Sequence, residues 1–115
     1  MLAFIQNPDQ MRKLRGDPSL MRWALEEIVR WTTPSIYKRR TVTQDTEIAG
    51  QKIAANQKVT IWEMSANRDE TKFDRPFAFD IARRPNRHIG FGAGVHFCLG
   101  ANLARPLSRS LGEIL

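Results

Sequence analysis

The sequence has few of the features that mark secreted, membrane-spanning or disulfide-stabilised proteins. Its 115 residues contain one cysteine, which excludes an internal disulfide framework and favours a reducing compartment. No apolar run approaches the ~20 residues that a membrane-spanning helix needs. The apolar start at residues 1–5 is also too short for the core of a signal peptide. We therefore expect a cytoplasmic globular chain, with room for one small domain.

Negative charge is the scarcer sign. The chain has 18 Lys and Arg against 12 Asp and Glu, a net charge of +6, which allows an acidic protein, a nucleic acid or an anionic surface as partner. The basic residues are spread along the chain, and no zinc-type spacing, helix-turn-helix signature or aromatic RNA-binding motif accompanies them. The hypothesis of a basic nucleic-acid-binding module is therefore supported by charge alone, and we expect no nucleic-acid partner.

Apolar periodicity predicts a mainly α-helical chain with a small β region. A helix is predicted to start at Asn7–Gln10 and to break at residues 16–19. A second helix then runs from Ser19 to Trp31, and Pro34 stops it. The last helix is predicted over Leu99–Leu115, with a kink at Pro106.

The middle of the chain has a different pattern. Polar turns separate three predicted strands at residues 41–43, 47–50 and 58–62. A single helical turn is predicted at residues 65–70. Residues 71–87 show little periodicity, although Phe73, Phe77 and Phe79 could anchor them to a core. A long irregular segment of this kind usually has a functional role.

The most informative stretch is residues 91–100, FGAGVHFCLG, where three glycines surround the only cysteine. Glycines allow sharp turns and close approach to a ligand. Residues 101–105 have the pattern of a helix start, so Cys98 would lie near a helix N-terminus, where free N–H groups and the helix dipole stabilise a thiolate. Such a thiolate suits an axial bond to haem iron. A lone cysteine is also commonly a small buried apolar residue, and the motif alone leaves that alternative open.

A second motif lies on the second predicted helix. Glu27 and Arg30 are three residues apart and share a helix face. The common interpretation of this spacing is a solvated ion pair of small energy. The alternative is a buried pair whose remaining donors and acceptors are satisfied by a further arginine. Arg83, in the irregular segment, is the best candidate for that third member.

In this order and spacing, Glu27-x-x-Arg30, Phe79-Asp80-x-x-Arg83 and the FGxGxHxCLG motif closely resemble the haem-thiolate monooxygenases of the cytochrome P-450 superfamily. The resemblance covers nearly the whole chain, from about residue 7 to residue 105. It implies that residues 1–115 are the C-terminal, haem-binding portion of a cytochrome P-450 domain, with the upstream distal part missing. That portion comprises helices, short strands, an irregular meander, the cysteine-ligand loop and a final helix.

The resemblance also implies roles for particular residues. Haem b would be the cofactor and Cys98 the axial iron ligand, while Glu27, Arg30 and Arg83 would brace the haem-binding core. The remaining cofactor contacts would be His96 and Arg40 to the haem propionates, Phe91 near the sulfur, and Gly92 and Gly100 in the loop. On pattern alone, Arg40 could equally be an exposed strand residue and His96 a loop histidine. The family's distal oxygen-activating residues are not found, so no catalytic residue is assigned.

The resemblance implies a function for the complete enzyme. It would use dioxygen and two electrons, supplied by a ferredoxin or a reductase, to hydroxylate an apolar small molecule. Residues 31–41 and 65–70 resemble actinobacterial enzymes that act on methyl-branched lipids and sterol side chains. The alternative is that the isolated chain is a truncated, non-catalytic remnant without stable haem binding.

Overall fold

A computed structural model describes residues 2–113, which are helical at both ends with a small β region between them. Helices and strands alternate with two short 3-10 turns. In chain order the elements are α1 Leu2–Gln6, α2 Pro8–Gly16, a 3-10 turn Pro18–Leu20, α3 Met21–Thr32, β1 Tyr37–Thr41, β2 Thr46–Ile48, β3 Gln51–Ile53, β4 Lys58–Trp62, α4 Glu63–Ala66, a 3-10 turn Gly94–His96 and α5 Ala101–Glu113.

Helices α2 and α3 begin and end at the local signals in the sequence. Pro8 is the first residue of α2, where its fixed φ suits the helix and its missing N–H costs no hydrogen bond. The Asp17 carboxylate accepts the N–H of Ser19 at 3.0 Å and caps the turn that leads into α3. Helix α3 ends at Thr32, and the next residue, Thr33, has a left-handed φ of 41° directly before Pro34. The predicted break and stop are therefore confirmed.

The core forms where α1, α2 and α3 meet part of the irregular segment. Phe79 packs edge-on against Phe4 and Trp31, with ring centroids 5.4 and 5.7 Å apart. Aromatic pairs of this kind contribute about 0.5–1.5 kcal/mol beyond area burial. Phe73 is buried as well, whereas Phe77 is 67% exposed and does not anchor the segment. Two of the three predicted phenylalanine anchors thus hold a segment that has little regular structure.

The β region consists of two separate antiparallel pairs. Strand β1 pairs with β4 from Tyr37 opposite Trp62 to Thr41 opposite Lys58. Strands β2 and β3 form a hairpin whose turn contains Ala49 and Gly50, both at positive φ. Such turns match the twist of the two strands that they join.

The strand predictions were partly wrong. The strand at residues 58–62 is confirmed as β4. The strand predicted at 41–43 lies earlier, over Tyr37–Thr41, because it pairs residue for residue with β4. Strand β3 was not predicted, since Gln51 and Lys52 carry no apolar alternation. The helical turn predicted at 65–70 is also earlier, at Glu63–Ala66.

The rest of the chain follows the predicted organisation. Between Ala66 and Gly94 the described residues form turns and bends without a helix or strand, which confirms the irregular segment. Helix α5 runs through Pro106 to Glu113, and the last two residues of the predicted helix lie outside the described residues. None of the helices within residues 2–113 is long and apolar enough to cross a membrane.

Candidate functional site

The loop that carries Cys98 is a tight turn closed by a backbone hydrogen bond. Gly92 and Gly94 have φ values of 75° and 62°, a region that glycine adopts at little cost. The N–H of Cys98 donates to the carbonyl of Phe91 at 2.8 Å, so the chain returns to the point where the loop began. A Cβ on Gly92 would lie 3.2 Å from the carbonyl oxygen of His96. The glycines of the motif are therefore what the backbone requires here.

The thiol of Cys98 is exposed and lies directly before α5. The carbonyl of Cys98 accepts the N–H of Ala101, the first residue of that helix, at 3.1 Å. Gly100 lies against the sulfur: a Cβ there would be 3.8 Å from Sγ. Free N–H groups and the helix dipole favour negative charge at a helix N-terminus. Cys98 thus lies directly before the N-terminus of α5, and the prediction that it precedes a helix is confirmed.

Apolar side chains beside Cys98 are exposed. Val95 is 97% exposed, Leu99 98% and Phe97 48%, although such side chains are usually buried in folded proteins. We call Val95, Phe97, Cys98 and Leu99 the thiol face. An exposed apolar surface of this kind marks a place where a ligand or another part of a protein binds.

Glu27 is the centre of a buried polar network that connects α3 to the irregular segment. Its two oxygens accept Nε and Nη2 of Arg30, both at 2.8 Å. Arg83 Nε donates to Glu27 Oε2 at 3.1 Å, and Asn86 Nδ2 donates to the same oxygen at 3.0 Å. The N–H of Asp80 donates to Oε1 at 2.9 Å. The structure thus brings together the three residues Glu27, Arg30 and Arg83 that the sequence analysis selected.

The remaining donors of the two arginines are satisfied by backbone carbonyls. Arg30 Nη1 donates to the carbonyls of Asn67 and Pro76 at 2.9 and 2.8 Å. Arg30 Nη2 and Arg83 Nη2 both donate to the carbonyl of Ala78, at 3.0 and 2.9 Å. A buried ion pair is tolerated when its other polar atoms find partners in this way. The network therefore fixes the path of the irregular segment in place of regular secondary structure.

A second polar cluster, which no sequence pattern predicted, surrounds the carboxylate of Glu26, the residue before Glu27. Glu26 accepts Nε and Nη2 of Arg105 at 2.6 and 3.2 Å, and its Oε2 lies 3.0 Å from His88 Nε2. His88 Nδ1 accepts the N–H of Gly90 at 3.1 Å. These partners are far apart in sequence, so no spacing rule could have connected them.

The environment of this cluster changes two pKa values. Burial raises the pKa of Glu26, but the hydrogen bonds from Arg105 and His88 outweigh it, and the pKa lies below its ordinary value. Burial also holds the pKa of His88 below its ordinary value, and the hydrogen bond to Glu26 offsets only part of this. His88 is therefore favoured as the neutral imidazole, with Glu26 ionised.

Arg40 and His96 are both exposed, on β1 and in the 3-10 turn of the cysteine loop. The Arg40 guanidinium donates to the carbonyl of Arg39 at 2.9 Å. Lys38, on the same side of β1 as Arg40 because strand side chains alternate, pairs with the buried Glu63. The structure places Arg40 and His96 where a ligand could reach them. Their contacts with the haem propionates stay predictions.

Glu27→Gln should lower the free energy of unfolding by about 3–5 kcal/mol, because it leaves Arg30 and Arg83 buried without a counter-charge. Denaturant unfolding followed by circular dichroism measures this. Asp74→Asn is the matched control, because Asp74 is 88% exposed and its replacement should change stability by less than about 0.5 kcal/mol. Equal effects of the two variants would contradict the network's role.

Stability should fall as the pH drops from about 7 to about 5.5. In the unfolded chain His88 gains a proton below about pH 6.5, whereas the folded chain resists protonation. The unfolded state then binds more protons, so acid favours it, by at most about 1.4 kcal/mol per pH unit. Unfolding curves measured at several pH values give the free energy of unfolding as a function of pH. That free energy should depend less steeply on pH in His88→Gln than in wild type, and an equal dependence in both proteins would refute the role of His88.

Comparison with known proteins identifies the family. The model of the cytochrome P-450 family matches residues 6–109. Cytochrome P-450 126 of Mycobacterium tuberculosis is 57% identical over 115 residues, all of this chain and 28% of that protein. The methyl-branched lipid omega-hydroxylase of Mycobacterium bovis is 55% identical over 107 residues, 91% of this chain and 25% of that protein. The solved structure of cytochrome P-450-153 from Novosphingobium aromaticivorans has a TM-score of 0.95 at 44% identity, over 97% of this chain and 29% of that one.

These matches confirm the predicted family and fold class. The chain spans about a quarter of the length of the curated relatives that it matches, and the arrangement of its helices and small antiparallel sheets is the one found in the solved structure. Members of the family bind haem b through a cysteine thiolate, which agrees with the predicted cofactor. The chain belongs to the cytochrome P-450 family.

Proposed function

We propose that this chain forms the proximal side of the haem site of a cytochrome P-450 monooxygenase, with Cys98 as the axial iron ligand. The observation that carries the proposal is the thiol face. Its only cysteine is exposed, lies before a helix N-terminus and is flanked by exposed apolar side chains. A flat, apolar macrocycle with a metal at its centre matches this combination of one soft ligand and an apolar surround.

The residues of the loop fit haem. Gly100 leaves open the space beside the sulfur, and the positive φ of Gly92 lets the backbone turn toward the ligand side. Phe91 packs near the ring of Phe97, with centroids 6.3 Å apart, and supplies apolar surroundings to the loop. Arg40 and His96 would hold the haem propionates, because a guanidinium fork and an imidazole N–H are suitable donors to carboxylates.

The chain's own residues would orient and tune the group rather than transform the substrate. When bound, thiolate-ligated haem supplies oxygen activation, because electron donation from sulfur favours O–O cleavage. The Glu27–Arg30–Arg83 network would hold the irregular segment against α3 and so keep the base of the site rigid. Apolar side chains around the thiolate would limit its contact with water.

The substrate and the partners of the whole enzyme are also part of the proposal. We propose an apolar substrate, a methyl-branched lipid or a sterol side chain, supported by the 55% identity to the methyl-branched lipid omega-hydroxylase. Dioxygen and two electrons from a ferredoxin or reductase would complete the reaction. The net charge of +6 would favour an acidic electron donor. A cytoplasmic location is consistent with a free thiol.

The iron ligand is tested by the ferrous carbon-monoxide difference spectrum of the haem-loaded protein at its full natural length. The wild type should show the strongly red-shifted Soret band that thiolate ligation produces. Cys98→Ala should lose it, and Cys98→His should bind haem with an unshifted band. A red-shifted band that persists in Cys98→Ala would refute the assignment.

The substrate class is tested by spectral titration of the same holoprotein. A methyl-branched fatty acid and a sterol should each be tried beside an unbranched acid of equal length. We expect at least one branched or sterol ligand to shift the Soret band and to bind about 10-fold more tightly than the unbranched control, since about two additional buried methylene-sized groups supply roughly that factor. Absence of binding by every branched lipid and sterol would reject the substrate proposal while leaving the haem proposal intact.

The alternative, a non-catalytic remnant, is supported by apolar side chains that are exposed outside the thiol face. Leu2 and Ile5 on α1 are 65% and 69% exposed, and Trp62 on β4 is 56% exposed. Adding haem to the 115-residue chain alone distinguishes the remnant from a chain that forms the haem site by itself. A red-shifted carbon-monoxide band shows that the chain builds the site unaided, whereas colourless aggregation supports the remnant.

A further inference from the structure

The segments on either side of the cysteine loop, residues 91–100, both contact one side chain of α3. Phe91 stands seven residues before Cys98 and Arg105 seven residues after it. The Arg105 guanidinium carbon lies 4.9 Å from the centre of the Phe91 ring. The same guanidinium donates from Nε and Nη2 to the carboxylate of Glu26 at 2.6 and 3.2 Å. Glu26 therefore holds the helix that leaves the loop through a two-nitrogen contact.

The segment that leads into the loop is attached to the same carboxylate. His88 has its side chain only 4% exposed, and its Nδ1 accepts the N–H of Gly90 at 3.1 Å. Because a backbone N–H can only donate, the ring proton must be on Nε2, and Nε2 donates to Glu26 Oε2 at 3.0 Å. The sequence of hydrogen bonds from Gly90 through His88 to Glu26 thus has a defined direction.

Close packing of the backbone leaves this segment little freedom. A Cβ on Gly90 would lie 2.8 Å from Cγ1 of Val29, so a larger residue than glycine would clash with α3 here. Val29 lies on the same helix as Glu26, less than one turn further along. The start of the loop is therefore fixed to α3 by a steric contact and by the hydrogen-bonded His88.

From these contacts we infer that Glu26 is a positioning residue for the thiolate ligand: it holds the segments on both sides of the cysteine loop at fixed places on α3. The inference rests on the proposed role of Cys98. Glu27 holds the irregular segment, whereas Glu26 holds the loop, and successive residues of a helix point about 100° apart. Adjacent carboxylates can therefore serve different parts of the site.

The position favours a carboxylate because Arg105 and His88, which contact its oxygens, are both donors. Arg105 presents two N–H groups to Glu26 and His88 presents one. Glutamine has the same shape but one carbonyl oxygen and an NH₂ group, which would face a donor and leave the guanidinium without a counter-charge. Both ends of the loop should then loosen, and the sulfur should hold the iron less firmly.

The test compares Glu26→Gln with wild type and with Glu70→Gln, the same change at an exposed glutamate, in the haem-loaded protein at its full natural length. The readout is the rate at which the red-shifted ferrous carbon-monoxide band converts to the unshifted form in mild denaturant, with helix content followed in parallel. We expect conversion about 10-fold faster in Glu26→Gln, because changing an outer-sphere residue of a metal site typically costs about 10–100-fold in metal affinity or activity. Helix content should be unchanged, and Glu70→Gln should behave as wild type.

A second variant covers the case in which Glu26→Gln does not yield holoprotein. Arg105→Lys keeps the charge but loses the two-nitrogen contact, and its band should convert several-fold faster than that of wild type. Wild-type rates in these variants, or band loss only together with helix loss, would overturn the inference and leave the function proposal standing. A wild-type protein without the red-shifted band would overturn both.

Discussion

The fold depends first on the compensation of one buried negative charge. Glu27 is fully buried on α3, and its oxygens accept donors from Arg30, Arg83, Asn86 and the backbone of Asp80. An ion in this position is costly unless each lone pair has a partner. All of these partners except Arg30 come from a segment without helix or strand, so the charge of Glu27 specifies where that segment lies. Hydrophobic contact at Phe79 then fixes the same segment against α1 and α3.

The two adjacent glutamates of α3 contact different segments of the chain. Glu27 is directed into the irregular segment that precedes the cysteine loop, and Glu26 contacts His88 just before the loop and Arg105 on the helix that follows it. A helix can do this because neighbouring side chains point in different directions from one rigid axis. The segments on both sides of the cysteine loop are consequently attached to α3 by two separate sets of polar contacts.

The surface around Cys98 has the opposite character to this polar interior. Val95 and Leu99 are almost fully exposed and Phe97 is about half exposed, beside a loop that is closed by the hydrogen bond from Cys98 to Phe91. A site for a large planar cofactor requires a closed backbone turn and apolar side chains around the ligand atom, because that atom must be placed accurately and kept from water. The chain's membership of the cytochrome P-450 family supports the proposal that this surface contacts haem.

Local signals in the sequence were sufficient for α2, α3, β4, the irregular segment and the glycine-rich cysteine loop, because proline, capping residues, apolar period and glycine act over a few residues. The Glu27–Arg30 spacing, ordered with Arg83 and the cysteine motif, also indicated the family. Only the tertiary structure joined Glu26 to His88 and Arg105, which are 62 and 79 residues away. It likewise decided the bounds of β1, whose position follows from pairing with β4, and the presence of β3. Such features depend on which surfaces meet after folding, and a one-dimensional pattern does not contain that information.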